Sequence, residues 1–248
     1  MNNIYHVLNN ENFVVDEKLG HQLTLLIDAE NSFVDYRLTS GVWHIFVYHR
    51  SNDVKLEETF KLERDCEVHI TYFDIENSNF KQNSTYSLAK GATLDVKTIY
   101  LARNSKDITF DITNHEGMSR VDIDNSVVAL KDADFNMNVI GNVVKGAKGS
   151  IHHQKNRCLT IDKLNKALIR PILNIDENDV EASHAMSSGT IDENILYYMN
   201  SRGLNRHEAL VLMVAGYLTL NEQFYKDYQI IDEIKAEIEG KGSELCLM

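Results

Sequence analysis

Cysteine and histidine carry most of the metal chemistry open to a protein, and this chain places them sparsely. Its three cysteines, Cys66, Cys158 and Cys246, lie far apart. His152 and His153 open the run HHQKNRC that ends on Cys158, and His184 stands alone in EASHAMSSGTIDE, residues 181 to 193. Thiolate and imidazole together suit iron or zinc, but the C-x-x-C spacing of a zinc site is absent. Adjacent residues on a strand point to opposite faces, so His152 and His153 cannot both hold one ion. One of them could join Cys158 and His184 across stacked strands. On residue type alone, a single histidine is most simply a surface or packing residue, and an isolated cysteine a buried thiol. The acidic run Asp176, Glu177, Asp179 and Glu181 reads as a solvated turn and strand face. Nothing resembles a catalytic set, and without a phosphate-cradling glycine loop bearing lysine, any ATP hydrolysis must come from a partner.

Composition narrows the setting. The chain has 248 residues, 43% hydrophobic and 25% charged, with a net charge of −12. A surface that acidic repels phosphate backbones and anionic lipid, which excludes nucleic acid and membrane surfaces as natural partners. An odd number of scattered cysteines suits a reducing cytosol better than a disulfide framework. The N-terminal MNNIYHVLNNENF has no signal-peptide pattern. The most apolar run, Ala209 to Leu218, falls short of the ~20 residues that span a bilayer. The expected location is cytoplasmic.

The elements that must position these residues are mostly strands. From about Leu23 to His184 apolar residues alternate, as in Val68-Ile70-Tyr72, Leu94-Val96 and Val121-Ile123, between clusters of Asn, Asp, Ser and Gly. A loose period runs through them: Leu62, Val68 and Ile70 recur 26 residues later as Leu88, Leu94 and Val96, Val121 and Ile123 follow 27 further on, and Ile151 comes 28 beyond Ile123. Gly91, Gly117, Gly146 and Gly149 keep the same beat. Such a repeat suits the coils of a parallel β-helix, each burying its apolar face on the next. Evenly spaced strands also suit an antiparallel sandwich, though Asn-Gly and Asp-Gly hairpin turns are missing. Periodicity leaves both open.

Beyond residue 188 the pattern turns helical. Thr190 and Glu193 form a capping box, Ile191, Ile195, Tyr198 and Met199 follow helical spacing, and Gly203 supplies a left-handed stop. Asn205 and Glu208 open a second helix with Leu212, Met213, Gly216 and Leu220 as its apolar stripe. A third is expected from Asn221 to Glu239, ended by Gly240 and Gly242. The chain thus divides into a short N-terminal segment (1–22), a strand core (23–188) and a helical C-terminal domain (189–248). Helices this short must pack on the strand body or on a partner.

The run from Ile169 to Leu218 resembles the C-terminal signature of the SufB/SufD scaffold proteins of iron–sulfur cluster assembly. It is carried by Arg170-Pro171, the acidic strand ending in Ser183-His184, Gly189, Leu196-Tyr197-Tyr198, Ser201-Arg202-Gly203 and the helix of Glu208 and Ala209. The stretch His152 to Asp162 looks like the family's penultimate strands. The Ser-His pair is closer to the SufD type than to the Glu-His-Glu of SufB-type members. The resemblance implies a mostly β fold, a right-handed parallel β-helix followed by a small α-helical domain. It also implies a non-enzymatic role beside a SufB-type subunit, with a SufC-type ABC ATPase docked on the helical domain through Tyr197, Tyr198, Arg202 and Gly203. A transient iron–sulfur cluster, or iron, would sit at the subunit interface, with His184 as this chain's ligand by position and Cys158 and His152 as further candidates. The family's SufB-type cysteine matches nearest to Asn156, and two residues along a strand restores the same face, which is why Cys158 is a candidate. Ala182 stands where SufD proteins often have cysteine, Ala185 stands for the usual glycine, and the longer helical N-terminal region of the family is not seen. Cys66 reads as core and Cys246 as a tail thiol.

Two other functions are weighed. A carbohydrate-acting β-helix enzyme would need clustered carboxylates and is commonly exported. A purely structural homodimer would hide open sheet edges by pairing the ends of two copies.

Overall fold

In the computed structural model the described residues are 3–7, 12–49, 53–130, 133–161 and 166–219. Strands follow one another almost without interruption: β1 (Asn3–Val7), β2 (Asn12–Val15), β3 (Gln22–Ile27), β4 (Asn31–Leu38), β5 (Val42–His49), β6 (Val54–Leu62), β7 (Glu67–Asp74) and β8 (Phe80–Leu88). They continue as β9 (Thr93–Ala102), β10 (Ser105–Asn114), β11 (Arg120–Ala129), β12 (Asp134–Val143), β13 (Ser150–Thr160), β14 (Lys166–Ile175) and β15 (Val180–Thr190). Two helices close the described chain, α1 (Glu193–Ser201) and α2 (Arg206–Thr219).

Odd-numbered strands form one eight-stranded sheet in the order β1 to β15, and even-numbered strands form a facing seven-stranded sheet. Every pairing is parallel. Successive strands therefore alternate between sheets, and each coil stacks on the last. That is a parallel β-helix, and the sandwich alternative is set aside because a sandwich would pair its strands antiparallel.

Alternation in the sequence becomes alternation of faces. Inward residues such as Leu94, Val96, Tyr100, Phe110, Val121 and Phe135 fill a continuous core between the sheets. Like side chains stack up the ladder: Tyr36, Phe60 and Tyr86 lie in register, with ring centroids 3.8 and 4.4 Å apart. Offset aromatic stacks of this kind stabilise beyond the area they bury. The core also encloses a carboxylate. Glu58 accepts hydrogen bonds from Tyr36, Tyr72, Gln82 and Ser84, while burial pushes its pKa up.

The 26-residue repeat is the observed register of the middle coils, where Leu62 pairs with Leu88 and Val68 with Leu94. Ile123, however, pairs with Gln154, and Ile151 pairs with Arg120 on the outward side. The coil there has lengthened, which a fixed beat misses.

Outside the first sheet, Phe46, Phe73, Ile99 and Val128 form a second apolar cluster, against which Val214 and Tyr217 of α2 pack. A third cluster joins Ile191, Leu196 and Ala209, with Met199 and Met213 against it. Helix α1 begins two residues later than the Thr190 capping box predicts. Thr190 is still in β15, and Asp192 caps the helix by accepting from the Asn194 N–H at 2.8 Å. This turns Leu196 inward and leaves Ile195 and Tyr198 exposed. The second capping box forms as expected, with Asn205 and Glu208 each accepting from the other's backbone N–H. Gly203 takes φ 97°, the left-handed stop. Leu212 lies outward, and the buried side of α2 is Ala209 and Val214. The third helix, with Leu220, Gly240, Gly242 and Cys246, falls outside the described residues.

Candidate functional site at the open end of the solenoid

Strand β15 ends the first sheet and β14 ends the second. Among the described residues each pairs on one side only, β15 with β13 and β14 with β12. The residues that would face the interior are therefore uncovered. On β13, His152, Gln154, Asn156 and Cys158 are inward and buried. Their partners one coil up are Ala182, His184, Met186 and Ser188, and of these His184, Met186 and Ser188 are exposed. Met186 is 40% and Ile175 of β14 is 44% exposed. The end of the solenoid is thus an apolar, hydrogen-bonding edge with one imidazole standing on it.

The terminal strand is pinned from its outward face. His153 Nδ1 lies 2.7 Å from Ser183 Oγ, and its Nε2 lies 3.5 Å from Glu181. As adjacency on a strand requires, His152 turns the other way. Its ring lies inside, Nδ1 2.9 Å from Asn114 Oδ1, in space left by Gly141, whose added Cβ would come within 2.5 Å of the imidazole. Burial, with a smaller push from His153, lowers the His152 pKa to about 4, so the ring is neutral at physiological pH.

Cys158 is 3% exposed, and burial raises its thiol to about 11. Cys66 is buried in the core as expected, also raised to about 11, first by burial and then by Glu63 and Glu67. Thiols held this far above neutrality stay protonated and unreactive. The register puts Cys158 over Ser188, whereas His184 lies over Gln154. Four residues along a strand is about 13 Å, so Cys158 and His184 do not meet within this chain. Asn156 and Cys158 do share the inward face. Asn156 continues an interior ladder in which Thr98 donates to Asn125 and Asn125 to Asn156, each at 2.8 Å, before Asn156 donates to the Ala185 carbonyl.

No cluster of three or more His, Cys, Asp or Glu among the described residues is placed to hold a metal ion. Among the described residues, the donor exposed on the inward row of this end is the His184 imidazole. Sequence reasoning missed Gln154 and Met186. Gln154 is found only once the true register is known.

Following β15 in the chain, α1 presents a polar aromatic surface. Tyr197 is 77% exposed, and the Arg202 guanidinium lies 5.2 Å from the Tyr198 ring, within cation–π range. No helix among the described residues is long and apolar enough to cross a membrane.

Comparison with known proteins places this architecture. The family model "SUF system FeS cluster assembly, SufBD core domain" matches residues 11–217. The iron–sulfur cluster assembly protein SufD of Bacillus subtilis is 30% identical over 203 residues, which are 78% of this chain and 44% of that protein. The SufD of Escherichia coli is 24% identical over 168 residues, 68% of this chain and 37% of the relative. A SufBD family protein of Mycobacterium tuberculosis is 36% identical over 76 residues, 31% of this chain and 9% of its own. The chain spans less than half the length of these relatives.

Proposed function

The chain belongs to the SufBD family of iron–sulfur cluster assembly proteins, and from that premise we propose that it is a SufD-like scaffold subunit without catalysis of its own. The observation that carries the reading is His184. It occupies an inward-facing row, one coil above buried Gln154, yet lies exposed, with no further coil over it among the described residues. The His184 imidazole on this sheet edge supplies one ligand to a transient iron–sulfur cluster or to iron, and a SufB-type subunit paired along β14 and β15 supplies the rest. The cluster is cargo rather than a resident group. Tyr197, Tyr198, Arg202 and Gly203 form the docking surface for a SufC-type ABC ATPase, whose hydrolysis works on the pair from outside the solenoid. Cys158 and His152 lie buried one coil beneath, as a neutral thiol and a neutral ring, and take no ligand place in this arrangement.

The test is co-expression with a SufB-type and a SufC-type subunit, followed by anaerobic reconstitution with iron and sulfide. The expected outcome is a complex that His184→Ala leaves assembled but depletes of cluster absorbance, while Tyr197→Ala with Arg202→Ala releases the ATPase. A wild-type chain that joins neither subunit, or a His184→Ala complex with undiminished cluster, defeats the reading.

A further inference from the structure

Directly below His184, a hydrogen-bond relay ends with one atom left over. Asn114 Nδ2 donates to Ser119 Oγ at 2.9 Å, which orients the amide so that Oδ1 meets His152 Nδ1. An amide oxygen only accepts, so His152 carries its proton on Nδ1 and leaves Nε2 bare. Gln154 Nε2 lies 3.3 Å from that bare nitrogen and 3.3 Å from the Ile172 carbonyl oxygen. Both neighbours are acceptors, so the Gln154 amide has one orientation, with Nε2 toward them. Its Oε1 is then an acceptor with no donor among the described residues, on a side chain only 2% exposed.

A buried acceptor without a partner is rare in folded proteins and points to a group that completes it. The register names that group. His184 is the residue paired with Gln154, on the same inward face, and neighbouring strands lie about 4.8 Å apart. We propose that Gln154 is a positioning residue for His184: its Oε1 accepts one imidazole N–H when the ring turns onto the end of the solenoid. The proton is thereby fixed on one ring nitrogen, and the other is bare and directed away from the chain. Metal-ligating histidines are oriented in this way, the second nitrogen donating to a fixed oxygen. The significance of the contact rests on His184 serving as the interface ligand; the contact itself belongs to the isolated chain.

The test is therefore made on the isolated full chain, labelled with nitrogen-15, by long-range proton–nitrogen spectra of the histidine rings at neutral pH. His184 in the wild type is expected in a single neutral tautomer. Gln154→Leu, close in size but without an acceptor, should give both tautomers, while His153, held by Ser183 on the opposite face, stays as it was. A His184 that divides between tautomers in the wild type overturns the proposal, and so does a single tautomer that survives Gln154→Leu. Should that variant not fold, Gln154→Met replaces it, and the wild-type spectrum alone can still overturn the assignment. Failure to assemble with partners or to hold cluster would defeat the scaffold reading and leave this measurement untouched.

Discussion

His69 shows how one side chain can make the solenoid sensitive to pH. It lies on the outward face of β7, with Nδ1 3.2 Å from Asp95 on the next coil and Nε2 2.8 Å from Glu67 on its own strand. The hydrogen bond to Asp95 raises its pKa most, burial opposes, and Glu67 adds a further rise above 6.5. The His44 ring stacks 5.0 Å away, and Lys97 donates to the same Asp95. A folded pKa above the unfolded one means stability that is complete below 6.5 and lost as pH rises through the folded value. The melting temperature should fall over that window, and His69→Gln should flatten the fall. Thermal melts of both proteins across the window decide it; equal slopes would remove His69 as the cause. At this scale much was legible. The opposed faces of His152 and His153 follow from strand geometry alone, and burial of Cys66 follows from its alternating strand. The partners of each ring were not legible, because they lie one coil away at a spacing that varies.

That spacing is a property of the elements. Val68 pairs with Leu94, 26 residues on, but Val121 pairs with His152, 31 on, and Gln154 with His184, 30 on. Carried forward unchanged, the 26-residue beat would set Cys158 beneath His184. The longer coil sets Gln154 there instead, and moves Cys158 about 13 Å along the strand. The repeat and the missing hairpin turns left a parallel solenoid and a sandwich both open, and the Ile169 to Leu218 resemblance chose between them, since a signature of residue types tolerates drift in coil length. A ligand set tolerates none. The same elements explain why α1 starts at Asp192: β15 keeps its ladder with β13 through Thr190, so the capping box predicted there has no helix to cap. Strand β15 is also where an association can be switched. Met186 is exposed on its inward row, beside a backbone edge unpaired among the described residues. A lysine on such an edge opposes strand addition without touching the chain's own core. Met186→Lys should therefore leave the unfolding free energy within about 1 kcal/mol of the wild type. In sedimentation velocity it should weaken pairing with a SufB-type subunit at least tenfold. Unchanged pairing would mean that partners do not use this edge.

Across the whole molecule, stability is held coil by coil. Each coil touches only its neighbours, so the inner coils are secured on two sides and the terminal ones on one. Strands β9 and β11 lie between full neighbours and bury Leu94, Val96, Val121 and Val127 completely. Among the described residues strand β15 has β13 alone, and its inward row is open to solvent. Local opening should follow that gradient, since strands with few buried contacts and one free edge open at the least free energy. Hydrogen exchange read by mass spectrometry should then show β9 and β11 slowest and β15 fast, although β15 is as long as the strand it pairs with. The contrast with the other end is a control. There Tyr5 packs against Phe13 with its hydroxyl on the Leu19 carbonyl, a cover over the interior that the described residues do not repeat at β15. Adding a SufB-type subunit should slow exchange selectively in β14 and β15, and adding a SufC-type ATPase should slow it around α1. Protection of β15 in the isolated chain equal to that of β11 would mean that the end is already covered. His184 would then be unavailable to a partner's cluster, and the scaffold role would have to rest on another face.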